Sequence, residues 1–148
     1  MDAVFWGPEW SESPDSVFFP TLESHLSAPA WVLDGNYTRT IAIKWREVDI
    51  VVWLDYHFTR TSYQSISRAL SRSISGDELW PGTGNRESFS RMFSRDSIIW
   101  WCVKSYRKNR RKYEAMMQDP QYSHIRFVRL QTPTQARAYL ESVAARTD

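Results

Sequence analysis

At 148 residues with 42% hydrophobic content and a formal charge of +2, the chain is long enough for one buried core and too nearly neutral for its overall charge to argue for nucleic acid or an acidic membrane. The single cysteine, Cys102, excludes a disulfide framework or a multi-cysteine zinc site within these residues, and the eight Trp, seven Tyr and seven Phe point to aromatic core and pocket walls. No run reaches the roughly 18 apolar residues of a membrane span, and no basic start leads into an apolar signal core, so the reducing cytoplasm is the expected compartment.

In chain order, residues 1–20, "MDAVFWGPEWSESPDSVFFP", mix aromatics, acids and prolines and are expected as an irregular loop with a short helix near Ser16. "WVLDG", residues 31–35, is a short β-type run closed by an Asp-Gly pair. "VDIVVWLDY", residues 48–56, is a longer apolar run of the kind buried on both faces of a sheet. These two are expected as central parallel strands. From Thr59 to Ser73, Tyr63, Ile66 and Leu70 recur at helical spacing, and the turn-rich "ISGDELWPGTGNRES" then breaks the pattern, leaving a lid-like loop at about 74–87. Residues 88–118 form a second helical stretch, polar at its start and basic from Lys104 to Lys112. "IRFVRL", residues 125–130, reads as another strand, and "PTQARAYLESV" as a closing amphipathic helix with Pro133 in its first turn. Strands alternating with helices predict an α/β fold with a parallel sheet, in one domain over 1–148.

Ligands of such sheets sit beyond the carboxyl ends of the strands. Asp34 would stand at such an end, Gly35 would let the chain turn, and Arg39 would face an anion in the same crevice. A carboxylate there suits a hydrated magnesium ion and an arginine suits a phosphate. The same residues also fit a strand that simply ends in an Asp-Gly turn. Asp55, at the end of the stronger apolar run, is open to both readings, as is His57 just beyond it. His25, His57 and His124 lie at no spacing that suggests a metal cluster or a nucleophilic triad.

The succession "MDAVFWGPEW", "WVLDGNYTRT", "VDIVVWLDY", "SRALSR", "GNRESF" and "SIIWWCVKSYRKNRRKYE" resembles the adenylate-kinase-like P-loop kinases, specifically the bacterial DNA topology modulation protein group, from about Asp2 to Leu140. The resemblance implies a P-loop NTPase-like parallel sheet, ATP and Mg2+ as cofactors, and a nucleotide or other small-molecule acceptor. It makes Asp2 the residue that orients or deprotonates the acceptor, and puts Trp6, Gly35, Asn36 and Arg39 on the substrate side. Asp34 becomes the acid near magnesium, acting through water. Arg68 and Arg72, four apart on one helix face, become the pair that contacts ATP phosphates at the entry to the lid. Arg86, Arg91, Arg107 and Arg111 are further phosphate-binding candidates, with solvated surface arginines as the other reading.

One part of the family pattern is missing. The family opens with a strand, a GxxxxGK[ST] loop and a helix, whose backbone N–H groups and lysine cradle the phosphates. Gly7, Gly35, Gly76, Gly82 and Gly84 are the only glycines, and none opens a Gly-Lys-Ser or Gly-Lys-Thr sequence. The chain is therefore expected to begin near the end of the family's second strand and, as it stands, to be a poor kinase or none. Three functions remain open from the sequence: an adenylate-kinase-like phosphotransferase, a non-enzymatic nucleic-acid-binding module suggested by "KSYRKNRRKYE", and a remnant of that fold that binds a protein partner.

Overall fold

The computed structural model of the chain describes residues 1–88 and 98–145. It is mixed α/β, with a small two-stranded parallel sheet and flanking helices. The single domain expected from length is divided into two compact units, residues 1–48 with 72–88 and residues 49–71 with 89–148.

The first unit is helical. The stretch expected to be mostly irregular holds α1 (Asp2–Phe5), a 3-10 turn at Pro8–Trp10 and α2 (Asp15–Leu26). Pro14 supplies the extended residue before α2, and Asp15 sets an acid against the positive end of its dipole. The helix carries through the exposed Pro20, because Phe18 and Leu22, one turn apart, are both buried and hold the segment down on either side of it. They share the core of this unit with Phe5, Ile41 and Trp45, the last two in and just after α3 (Ile41–Lys44).

The strand expected at "WVLDG" is not formed. Residues 31–37 carry no strand or helix assignment, and Val32 is fully exposed. A β-strand is stabilised by a neighbour that takes its backbone groups, and this segment has no ladder partner. Its Gly35 carbonyl instead accepts from the buried Lys44 Nζ at 3.2 Å.

The lid-like loop at 74–87 belongs to this unit and is tied back on itself. An isolated antiparallel bridge joins Glu78 to Arg86, and the Leu79 N–H donates to the Asn85 carbonyl at 2.8 Å. The Asn85 side chain is the long-range tie. It accepts from the Trp10 N–H at 2.9 Å and donates to the Gly7 carbonyl at 2.9 Å, with the residue only 2% exposed.

The second unit contains β1 (Ile50–Leu54), most of α4 (Phe58–Ser75), α5 (Ile98–Met116), β2 (Arg126–Leu130) and α6 (Pro133–Ala144). These elements follow the expected apolar runs closely. The polar start expected for the second helical stretch falls on residues 89–97, outside those described. β1 and β2 pair in parallel from Ile50↔Arg126 to Leu54↔Leu130, the arrangement that needs a long crossover rather than a hairpin. One expectation for β1 is corrected. It is not buried on both faces: Ile50, Val52 and Leu54 are 41%, 43% and 57% exposed, because a sheet of two strands covers neither side fully. Pro133 opens α6 as expected, and Thr132 caps it by accepting from the Gln135 N–H while the Gln135 side chain accepts from the Thr132 N–H, a reciprocal pair worth about 1 kcal/mol.

Candidate functional site

The best-built polar site lies at the carboxyl ends of the parallel pair. Asp55 follows the last residue of β1 and extends the ladder, its N–H donating to the Leu130 carbonyl at 2.9 Å. Its side chain is only 2% exposed. The register that sets Trp53 opposite Arg129 brings the Arg129 guanidinium 4.6 Å above the Trp53 ring, whose stack continues to Tyr113 of α5 at 5.4 Å. Held flat in this way, Arg129 donates to Asp55 Oδ2 from Nε at 2.8 Å and from Nη2 at 2.6 Å.

Two further donors converge on the same oxygen. Arg110 Nη2 of α5 lies 3.3 Å from Asp55 Oδ2, and Gln131 Nε2, just past β2, donates to it at 3.4 Å. Glu114 completes the network, 2.9 Å from Arg129 Nη2 and 3.6 Å from Arg110 Nε, its partner one helical turn away. Two carboxylates and two guanidiniums balance. Hydrogen bonding to Asp55 raises the Arg129 pKa above its ordinary value, and this outweighs the opposing desolvation. Because Asp55 Oδ2 is held by Arg129, it is poorly placed to take a proton from a substrate; the guanidinium N–H groups at the rim can meet an incoming anion. Nearby, the Tyr106 hydroxyl donates to the Tyr56 carbonyl at 3.1 Å and steadies the turn between β1 and α4.

Several residues assigned through the family resemblance come together in the first unit, around Phe5. Trp6 and Tyr37 each lie 4.7 Å from the Phe5 ring. Asp2 accepts from the Tyr37 hydroxyl at 2.9 Å, and burial, followed by this bond and the carboxylate's charge, drives the Tyr37 pKa well above the phenol's usual value. Arg39 is paired with Asp15 at 2.9 Å, its guanidinium 4.8 Å over Phe5 and 5.4 Å over Phe18. Gly35 has φ +140°, and a Cβ there would sit 2.9 Å from the Met1 Cβ, so the position favours glycine. Asp34 is exposed and Asn36 half-buried in the same unpaired segment. Among the described residues no group of three or more His, Cys, Asp or Glu is arranged to hold a metal.

Trp6 also meets Trp10 at 5.9 Å and Trp80 at 6.3 Å, and Trp10 lies 5.6 Å from Trp80. Glu9 and Trp10 both have positive φ, 55° and 60°, an uncommon backbone for side chains of this size.

The remaining assigned arginines are on surfaces. Arg68 and Arg72 are exposed on α4, and Arg107 and Arg111 are exposed on α5. Arg86 donates through Nη1 to the Gly76 carbonyl at the base of its loop. Arg91 lies outside the described residues.

Arg110, Glu114, Arg129 and Gln131 were not singled out by sequence reasoning. The Arg110–Glu114 spacing of four was a usable signal; the convergence on Asp55 depends on strand register and helix packing. Comparison of the chain with protein-family models, with curated proteins and with solved structures finds no match. No helix among the described residues is long and apolar enough to cross a membrane.

Proposed function

We propose that the chain is an adenylate-kinase-like protein of the P-loop NTPase class that serves ATP-dependent phosphoryl transfer to a small-molecule or nucleotide acceptor in the cytoplasm. The observation that carries this reading is the parallel β1–β2 pair with Asp55 and Gln131 at its carboxyl ends under the guanidiniums of Arg110 and Arg129. Open α/β sheets bind ligands beyond those ends, and guanidinium forks match phosphate oxygens. The motif order from "DAVFW" to "NRRKYE" supports the same class.

In this reading Arg68 and Arg72 supply phosphate contacts, since both are exposed on one face of α4. Asp2 and Trp6 belong to the acceptor side, and Arg39 holds that segment in place through Asp15, Phe5 and Phe18. The exposed Asp34 fits magnesium, which needs one or two carboxylates and otherwise keeps water and phosphate oxygens. Bound magnesium would offset phosphate charge. These residues contain no glycine-rich phosphate loop with its lysine, so nucleotide binding, rather than fast turnover, is the property expected of them.

The test is titration with MgATP by calorimetry. Saturable binding, weakened about tenfold, or ~1.4 kcal/mol, by Arg68→Ala and by Arg72→Ala with little change in melting temperature, is the expected result. No saturable binding at millimolar nucleotide, or equal affinity in both variants and the parent, would sink the proposal.

A further inference from the structure

Within its unit the sheet stops at β1. The Asp49 carbonyl accepts from the Arg126 N–H at 2.8 Å and the Asp55 N–H donates to the Leu130 carbonyl at 2.9 Å, so residues 49, 51, 53 and 55 turn their backbone groups toward β2. The direction alternates along a strand, and the N–H and C=O groups of Ile50, Val52 and Leu54 therefore point out of the opposite edge. No described residue of the second unit takes them, and the side chains of the same three residues are exposed. Such an edge is a template for another strand, which native sheets blunt with charge, proline or a bulge. β2, at the other edge, carries Arg126 and Arg129, whereas "IVVWL" carries no such guard.

The strand itself indicates what fits. Paired antiparallel with its own copy across a two-fold axis at Val52, β1 sets Val52 against Val52, Ile50 against Leu54 and Val51 against Trp53. Residues 50, 52 and 54 then fall at hydrogen-bonded positions, so every outward N–H and C=O group of both copies finds a partner. Every facing pair within the strand is apolar, and one joins a β-branched side chain to an aromatic ring.

Charge agrees with this register. No charge lies between Asp49 and Asp55, so nothing within the run repels its own copy. At each end the exposed Asp49 stands opposite Asp55 of the second copy, on the sheet face that carries Arg129. Asp55 is already matched by Arg129 and the half-buried Arg110, so the incoming carboxylate meets guanidinium N–H groups as well as an acid.

We propose that β1 docks the β1 strand of a second copy of this chain, joining the two sheets in the order β2-β1-β1-β2. An interface built on one short edge is small, and the association is therefore weak and concentration-dependent. The inference goes beyond the MgATP reading and uses none of the arginines assigned there to phosphate.

Analytical ultracentrifugation across a dilution series tests it: the chain should be a dimer at ~200 µM and a monomer at ~1 µM. Val52→Lys places two cations against each other on the axis and should weaken the dimer at least about tenfold, with circular dichroism checking that the variant is folded. A second measurement fixes the register without relying on that variant. The Cα atoms of a hydrogen-bonded antiparallel pair lie about 5.5 Å apart, within disulfide reach, so Val52→Cys should cross-link two chains on oxidation, with the bond mapped by mass spectrometry to position 52 in both. Leu54→Cys should give no such link, because the two copies of position 54 lie about 14 Å apart along the strands. A monomer at every concentration, which would leave the edge to a foreign strand, overturns the proposal. So do open-ended oligomers, a dimer indifferent to Val52→Lys, or cross-linking as ready at position 54 as at position 52.

Discussion

Replacing Asp55 by alanine removes the acceptor on which Arg129, Arg110 and Gln131 converge. Breaking a buried ion pair from one side costs about 3–5 kcal/mol when the remaining charge is stranded. Here the loss is smaller. Arg129 and Arg110 are 28% and 38% exposed and both keep Glu114, so water and one carboxylate still meet them, and ~2–3 kcal/mol is the reasonable expectation. At ~2–4 °C per kcal/mol for a chain of this size, the melting midpoint should fall by about 4–12 °C. Asp55→Asn keeps the shape and one acceptor oxygen and should lose about half as much. The decisive assay is a double-mutant cycle with Arg129→Ala, followed by urea unfolding. Because the two side chains share two hydrogen bonds, their effects should overlap by at least ~1 kcal/mol. Strict additivity, or an Asp55→Ala loss below ~0.5 kcal/mol, would refute the view that this network holds the parallel pair together.

Two further outcomes follow from the first unit. Asn85→Ala should strand the Trp10 N–H and the Gly7 carbonyl, costing ~1–3 kcal/mol and weakening the near-ultraviolet circular dichroism of the Trp6–Trp10–Trp80 cluster; an unchanged spectrum would show that the loop stays in place without the tie. Tyr37 holds its proton more tightly when folded than when unfolded, so its stabilising contribution is complete below the ordinary phenol pKa near ~10 and is lost as pH rises from there through the folded value. Ultraviolet titration should show Tyr37 ionising above the ordinary phenol pKa and with unfolding, and Tyr37→Phe should flatten the alkaline loss of stability; an unaltered alkaline limb would count against the Asp2–Tyr37 bond.

What could be read in advance divides along a physical line. β1, α4, β2 and α6 were legible because each is a local pattern: an apolar run, a helical period, or a proline in a helix's first turn. "WVLDG" has the same local composition as a strand and fails because strand formation depends on a neighbour. Asp55 was visible as an acid at a strand end, yet its partners were not, since Arg129 reaches it through the register opposite Trp53 and Arg110 through the packing of α5. Asn85 bridges 75 and 78 residues of sequence, and no local pattern marks it. The positive φ values at Glu9 and Trp10 are equally silent, because neither residue type signals a left-handed backbone.

The arginines sort by what surrounds them, and this bears on which substitutions report function. Arg39 is fixed between Asp15 and two phenylalanine rings, while Arg129 and Arg110 are fixed by Asp55 and Glu114. Truncating any of these leaves a carboxylate or a ring face without its partner, so lost binding would be confounded with lost stability. Arg68, Arg72, Arg107 and Arg111 are exposed, and exposed charges contribute little to folding. A defect in anion binding at those four positions therefore reads directly as a lost contact.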